Sequence, residues 1–344
     1  MKVLIAAYPS VTLLGGGLLS QVRSTASALK DRGIEVEFFD PWREIDVEAF
    51  DLCHLFGANI GTHHTAATLH RRGVRTVVTP IFFTRRSPGV VRATIRVNRG
   101  LQRLARGVWT DFGLAADICR WATRVLPNTQ DEARLVREGL GIGGEKVQVI
   151  PNGVDKRFLQ ADPALFTKTY GLEGFILSVG FFGMERKNTL RLLQALREID
   201  RPAVLIGGNW GGSYAERCFR MASGMKGLTL LDPLPPDSSL LASAYAACEV
   251  FVLPSLYETP GIAALEAALA GAKVVITPFG GTRDYFGDLV EYCDPCSVGS
   301  IREGINRALR KERGKELQDR ILREYSWGRV AEKTETAYRD VLRE

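Results

Sequence analysis

At 344 residues the chain exceeds the roughly 250–300 residues at which single cores stop growing, which predicts two domains. Apolar residues make up 45% of it, ample for two cores, yet no run reaches the roughly 18 apolar residues that a spanning helix needs. The net charge of +6 lies wholly in the first half: residues 1–150 hold 20 basic and 14 acidic side chains, and the remainder holds 25 of each.

The first element is Met1-Lys2-Val3-Leu4-Ile5-Ala6-Ala7-Tyr8, too short an apolar stretch for a signal peptide and suited to a first buried strand. The expected compartment is therefore cytoplasmic. Strand and helix patterns then alternate, which predicts parallel sheets flanked by helices. In the first half, Val3–Tyr8, Val36–Phe39, Leu52–Leu55, Val74–Thr79 and Thr123–Leu126 read as strands. Leu19–Arg32 is the clearest helix between them.

The loop after the first strand ends in Gly15-Gly16-Gly17 and leads into that helix. Glycines there permit close backbone approach to an anion at the helix start. Asp40, at the end of the second strand, gives a dinucleotide reading some support. The loop is too long for that reading and lacks its Gly-x-Gly-x-x-Gly spacing. A phosphate or sugar oxygen touching Gly16 and Gly17 is the better supported reading.

Between Asp51 and Asp111 there is no acidic residue, but there are ten arginines and all four histidines. A solvated basic face and an anionic partner both fit. Nucleic acid is set aside, because the arginines lack interleaved aromatics and no binding module is recognisable. Within Arg85–Trp109 are seven arginines, with Val90, Val91, Ile95, Val97, Leu101, Leu104, Ala105 and Val108 at helical spacing. Such a helix can lie on anionic lipid, gaining up to about 1 kcal/mol per basic residue. It can equally pack on its domain with the arginines in solvent.

After Val147–Asp155 a linker of mixed polarity runs to Gly174, and a second α/β pattern begins. Phe175–Gly180, Ala203–Ile206, Leu228–Leu231, Val250–Leu253 and Val274–Thr277 read as its strands, and Trp327–Arg343 as a closing amphipathic helix. Gly180 ends the first of these strands. Arg186 and Lys187 follow, ahead of the helix Thr189–Ile199. Cations disfavour that end of a helix, so the pair asks for an anion. Gly280-Gly281-Thr282 can bring backbone N–H groups near a ligand. The cysteines are scattered, and Cys293-Asp294-Pro295-Cys296 lacks the second pair or flanking His of a zinc site. No metal is expected.

Glu258 and Glu266 carry the most information. Thr259 is a suitable N-cap and Pro260 a suitable first residue for a helix that stops at Gly271. Its first turn, from Pro260 to Ala263, has free N–H groups at Gly261, Ile262 and Ala263 and forms an anion site beside Glu258. Glu266 is the helix's only ionisable side chain and lies roughly 9 Å further on, about the reach from a diphosphate to its ribose. A nucleoside-diphosphate-sugar site and a buried helix whose Glu pairs with a core Arg remain equal readings of this segment alone.

Taken in order, these segments resemble the retaining family-4 glycosyltransferases of the GT-B fold. Leu14–Phe39 resembles their glycine-rich loop and first helix, and Val125–Thr129 with Val147–Asp155 their interdomain approach. Lys187-Asn188 resembles the phosphate-binding segment, and Tyr257–Gly271 the two-glutamate signature. Tyr325-Ser326-Trp327 resembles the start of a C-terminal helix that crosses back to the first domain. The resemblance implies two Rossmann-like domains facing a cleft: an acceptor domain, residues 1–160 with 325–344, and a nucleotide-sugar domain, residues 161–324.

By the same resemblance Glu266 holds the ribose, Glu258 the donor sugar, and Lys187 with Arg186 the diphosphate. Main-chain groups at Gly180 and at Gly261, Ile262 and Ala263 assist, and Gly16 and Gly17 meet the β-phosphate. The resemblance implies transfer of a hexosyl group with retention, from a nucleoside-diphosphate sugar to a saccharide or lipid-linked acceptor in cell-envelope polysaccharide or glycolipid synthesis, without cofactor, in the cytoplasm or peripherally on the inner membrane face. Two departures stand out. Phe181 replaces the family's Arg after the glycine, leaving Arg186 as substitute. Phe82 and Phe83 stand where relatives often present a His, with His63 and His64 upstream as other acceptor-side candidates. A phosphorylase, an inverting enzyme and a non-catalytic nucleotide-sugar- or glycolipid-binding subunit are the competing readings.

Overall fold

A computed structural model describes every residue except Arg106 and Trp210, and the side chain of Leu14 is also left aside. Arg106 of the basic segment thus lies outside the described residues. The chain divides into two compact units, Met1–Gly153 with Trp327–Glu344, and Val154–Ser326.

The N-terminal unit is built on five parallel strands: β1 (Lys2–Ala7), β2 (Glu35–Phe38), β3 (Leu52–Phe56), β4 (Thr76–Thr79) and β5 (Arg124–Val125), in the order β2-β1-β3-β4-β5. Val3 pairs with Val36 on one side and Leu52 on the other. β3 and β4 are buried along their whole length, as strands covered on both faces are, with His54, Thr76 and Thr79 buried among their apolar residues. The helices are α1 (Val11–Leu14), α2 (Gly17–Lys30), α3 (Ile60–Arg71), α4 (Pro88–Leu104), α5 (Asp111–Trp121) and α6 (Gln130–Arg134).

The C-terminal unit carries six parallel strands: β6 (Ile176–Val179), β7 (Ala203–Ile206), β8 (Leu228–Leu231), β9 (Val250–Leu253), β10 (Lys273–Ile276) and β11 (Glu291–Tyr292), in the order β11-β10-β9-β6-β7-β8. Its helices are α7 (Ala164–Tyr170), α8 (Thr189–Leu196), α9 (Gly212–Ala222), α10 (Ser239–Ala247), α11 (Ile262–Leu269), α12 (Thr282–Phe286), α13 (Val298–Arg310) and α14 (Glu316–Tyr325). Helix α15 (Trp327–Arg343) returns to the N-terminal unit and puts Val330, Ala331, Ala337, Tyr338 and Val341 into its core with Val3, Ile5 and Leu29. Each buried Val, Ile or Leu among them contributes about 1.5–3 kcal/mol.

The division falls at Gly153/Val154, not after residue 160, because Val154 and Phe158 are buried with Phe166, Phe175 and Tyr325. Val154 also donates its N–H to the Tyr325 carbonyl at 2.8 Å and bridges to Ser326. That pairing carries the second boundary to Ser326/Trp327.

Candidate functional site

In the C-terminal unit the predicted site residues gather at the carboxyl ends of β6 and β9, where ligands of open α/β sheets bind. Gly180 follows β6, and its carbonyl is approached so closely by Gly207 that a Cβ there would stand 1.6 Å from the oxygen. A short turn, Glu185–Lys187, then presents Arg186 and Lys187. These cations therefore precede α8, which runs Thr189–Leu196 and stops short of the predicted Ile199. Asn188, buried at φ +61°, ends the turn and donates to the carbonyls of Pro254 (2.9 Å) and Pro295 (2.7 Å).

Lys187 Nζ lies 2.7 Å from Glu258 Oε1, and Arg186 Nη1 lies 3.3 Å from the same oxygen. Arg186 also donates to the Tyr257 carbonyl at 3.0 Å, with its guanidinium 5.3 Å from the Tyr257 ring centroid. Burial alone would push the Glu258 carboxyl up; the Lys187 ammonium and Arg186 guanidinium overcome this and hold it near 2. Burial lowers Lys187 from its ordinary value, Glu258 opposing and Arg186 adding to the fall. Two cations and one carboxylate thus form a cluster with a net positive charge, suited to an anion.

The helix after Glu258 starts later than the sequence suggests. Thr259-Pro260 is a cis peptide, and Gly261 at φ +85° takes the N-cap position with helix α11 beginning at Ile262. A residue in the left-handed region cannot continue a right-handed helix, so Thr259 is not the cap and Pro260 not the first turn. The N–H groups of Ile262 and Ala263 lie in the first turn and have no intrahelical acceptor. From Ile262 to Glu266 the rise is about 6 Å. Gly271, at φ +92°, stops the helix as expected.

Glu266 is half-buried, and Tyr245 donates its hydroxyl to Oε2 at 2.9 Å. Burial raises its carboxyl to about 7, although the Tyr245 hydrogen bond and the Arg157 charge pull the other way. No basic side chain reaches ion-pair distance among the described residues, which removes the core-arginine reading. Gly280 of the Gly280-Gly281-Thr282 turn also lies against the backbone of Glu258. At φ +99°, a Cβ on Gly280 would stand 2.2 Å from the Glu258 carbonyl oxygen, and Glu258 N–H donates to the neighbouring Phe279 carbonyl at 3.0 Å. This turn supports the backbone that aims Glu258.

In the N-terminal unit, Gly15 (φ +65°) and Gly16 (φ +80°) turn the chain into α2, whose first residue is Gly17. His63 Nε2 is 3.9 Å from Asp117 Oδ2, with its ring 5.1 Å from that of Trp121, and His64 is exposed. Phe82 is buried edge-on against Phe112 (5.9 Å), so it is part of the core, while Phe83 is half-buried. Helix α4 buries Val91, Ile95 and Asn98 and leaves Val90, Val97, Leu101 and Leu104 exposed.

Two polar centres escaped the sequence reading. His54 is buried between Tyr338 Oη (2.6 Å) and Thr79 Oγ1 (2.8 Å), and burial lowers its pKa to about 3. Glu132 is fully buried and accepts main-chain N–H groups. A carboxylate within the polar run Gln130-Asp131-Glu132 gives no sign of burial; in the structure Thr129 caps α6 and accepts the Glu132 N–H. Among the described residues no three His, Cys, Asp or Glu stand close enough together to hold a metal ion, no helix is long and apolar enough to cross a membrane, and the cysteines form no disulfide.

Comparison with known proteins places this geometry. Residues 167–325 match the family model described as glycosyl transferases group 1, and residues 41–158 match that described as glycosyltransferase family 4. A D-inositol 3-phosphate glycosyltransferase of Geodermatophilus obscurus is 30% identical over 244 residues, covering 63% of this chain and 52% of that protein. Another, from Acidothermus cellulolyticus, is 28% identical over 252 residues, covering 67% and 56%. The chain thus spans little more than half the length of these curated relatives. Among solved structures, sucrose-phosphate synthase from Thermosynechococcus elongatus superposes with a TM-score of 0.77 at 21% identity, over 99% of both chains. HepE of Anabaena, in complex with UDP and glucose, gives 0.73 at 16%, over 98% of this chain and 99% of that one. With both units matched by glycosyltransferase models and the whole chain following these structures, the protein belongs to the family-4 glycosyltransferases and has the GT-B fold.

Proposed function

We propose that the protein transfers a hexosyl group, with retention, from a nucleoside-diphosphate sugar to a saccharide or lipid-linked acceptor in cell-envelope polysaccharide or glycolipid synthesis. The observation that carries this reading is the cluster of Lys187 and Arg186 on Glu258, eight residues before the half-buried Glu266. A diphosphate entering beside the cluster meets both cations and the first-turn N–H groups of Ile262 and Ala263. Glu266 then accepts from the ribose hydroxyls, and Glu258 from those of the sugar. HepE, complexed with UDP and glucose, is a relative in fold that binds this class of molecule.

In this reading the bond between the anomeric carbon and the diphosphate oxygen breaks, and both electrons leave with the diphosphate. Lys187 and Arg186 stabilise the charge developing there. The acceptor hydroxyl bonds to the same face of the carbon, and its proton passes to the departing phosphate. No protein nucleophile and no cofactor takes part. Gly16 and Gly17 keep an anion role at the start of α2, and His63, His64 and Phe83 remain acceptor-side candidates. Incubation with UDP-, GDP- and ADP-hexoses tests the reading: one donor should release its nucleoside diphosphate, Glu258→Ala should abolish the release, and NMR should show the donor's anomeric configuration kept in the product. An inverted product, or release unaffected by Glu258→Ala, would overturn it.

The acceptor side includes a surface suited to anionic lipid. On α4 the exposed row Val90, Val97, Leu101 and Leu104 and the exposed row Arg92, Arg96, Arg99 and Arg103 flank the side opposite the buried Val91, Ile95 and Asn98, about 140° apart around the helix. We infer that this face rests on a negatively charged bilayer, apolar side chains in the interface and guanidinium groups at the headgroups. The protein should sediment with phosphatidylglycerol vesicles and not with phosphatidylcholine, and a Leu101→Ser/Leu104→Ser variant should stay in solution. Equal behaviour with both lipids would dismiss the surface.

A further inference from the structure

The loop that leaves β4 holds a conformation its own sequence resists. Ile81 stands at φ +50°, a left-handed backbone in which a β-branched side chain crowds its neighbouring carbonyl. Such residues persist where their surroundings over-determine them. Here the surroundings are Glu132. Its side chain is fully buried, and Oε1 accepts the Phe82 N–H at 2.7 Å while Oε2 accepts the Asn128 N–H at 2.7 Å. The main chain of the adjacent Ile81 faces the same carboxylate. Asn128 belongs to the loop after β5, so one side chain ties together two loops at the carboxyl edge of the sheet.

This carboxylate has no cationic partner among the described residues; main-chain donors alone satisfy it. Burial raises its carboxyl to about 7 in spite of them. A costly group in a place where an apolar residue would fill the space argues for a task that only two acceptor oxygens perform. Thr129 Oγ1 accepts the Glu132 N–H at 3.0 Å and fixes the first turn of α6, so the carboxylate is delivered from a set position.

We propose that Glu132 is the positioning residue of the segment Pro80–Thr84: it pins Ile81 in its left-handed turn and thereby sets where Phe83 and Thr84 stand. That this segment borders the acceptor rests on the function proposed above; the anchoring rests on the geometry alone. Glutamine at 132 keeps the shape but turns an NH2 toward one of the N–H donors, so one loop loses its acceptor.

Hydrogen exchange of the full chain, read by mass spectrometry, tests this in Glu132→Gln, Ile81→Gly and the double variant. In Glu132→Gln, residues 80–84 should exchange about tenfold faster or more, while β1 and β3 keep their rates. Adding Ile81→Gly should restore much of the protection, because glycine takes the turn without being held. A filler role for Glu132 would not give that rescue. Unchanged exchange in folded Glu132→Gln, or a loss spread over the sheet that Ile81→Gly does not mend, would overturn the proposal. Should Glu132→Gln fail to fold, Ile81→Gly alone decides: Tm held or raised supports the pinned turn, and a fall typical of a lost half-buried isoleucine contradicts it. UDP, GDP and ADP are added to each sample; if none stabilises even the wild type, the donor reading fails while the exchange result stands.

Discussion

At the scale of single residues, the two glutamates of the C-terminal unit are set apart by their surroundings. Glu258, half enclosed by two cations, stays ionised down to about pH 2; Glu266, with a hydroxyl for company, has its carboxyl raised to about 7. Removing Glu258 leaves Lys187 and Arg186 without their countercharge, so Glu258→Gln should cost roughly 3 kcal/mol in urea unfolding. The pH signs follow from the directions of the shifts. Glu258 contributes stability that is complete above the ordinary carboxyl value of 4.5 and is lost as pH falls toward 2. Glu266 contributes stability that is complete below 4.5 and is lost as pH rises through about 7. Between pH 8 and pH 5 the wild type should therefore gain stability relative to Glu266→Gln, and a difference independent of pH would show that Glu266 is not perturbed. His54, kept neutral by burial, should show no titration by NMR between pH 5 and 8.

At the scale of elements, close backbone approach decides where the site sits. Gly280 carries the chain past the Glu258 carbonyl, and Gly207 carries it past that of Gly180. Gly280→Ala combines a steric contact with a left-handed φ and should cost about 2 kcal/mol or more in thermal or urea unfolding, with loss of nucleotide binding. Sequence patterns gave β7, β8 and β9 residue for residue, since short apolar runs bounded by Pro and Gly leave little freedom. β11, two residues including a charged Glu291 held by Arg307, had no pattern to show. The start of α11 was misread because Thr-Pro is a sound local helix opening, whereas the cis peptide and the Gly261 conformation belong to the folded chain.

For the whole molecule, chain order and structural order differ: the last helix completes the first unit. Tyr338 is fully buried and its hydroxyl meets His54, so α15 supplies both apolar surface and a polar tie to β3. Ending the chain after Ser326 should unfold the N-terminal unit and spare residues 154–326, giving proteolytic fragments from the first part and a protected second part. Survival of both would show α15 to be an accessory. In the C-terminal unit the candidate residues were legible in sequence because Lys187, Glu258 and Glu266 have no structural reason to occur in apolar or glycine-rich surroundings. In the N-terminal unit Glu132 and His54 were not, because they are satisfied by groups distant in sequence, among them the Phe82 main chain and Tyr338.

The most direct test of a nucleoside-diphosphate site on Lys187, Glu258 and Glu266 is thermal unfolding with UDP, GDP, ADP and CMP, for wild type and Glu266→Ala. One nucleoside diphosphate, at about 100 times its dissociation constant, should add roughly 2.7 kcal/mol to the stability of the wild type and nothing to that of Glu266→Ala. No shift with any of the four, or the same shift in both proteins, would contradict the account.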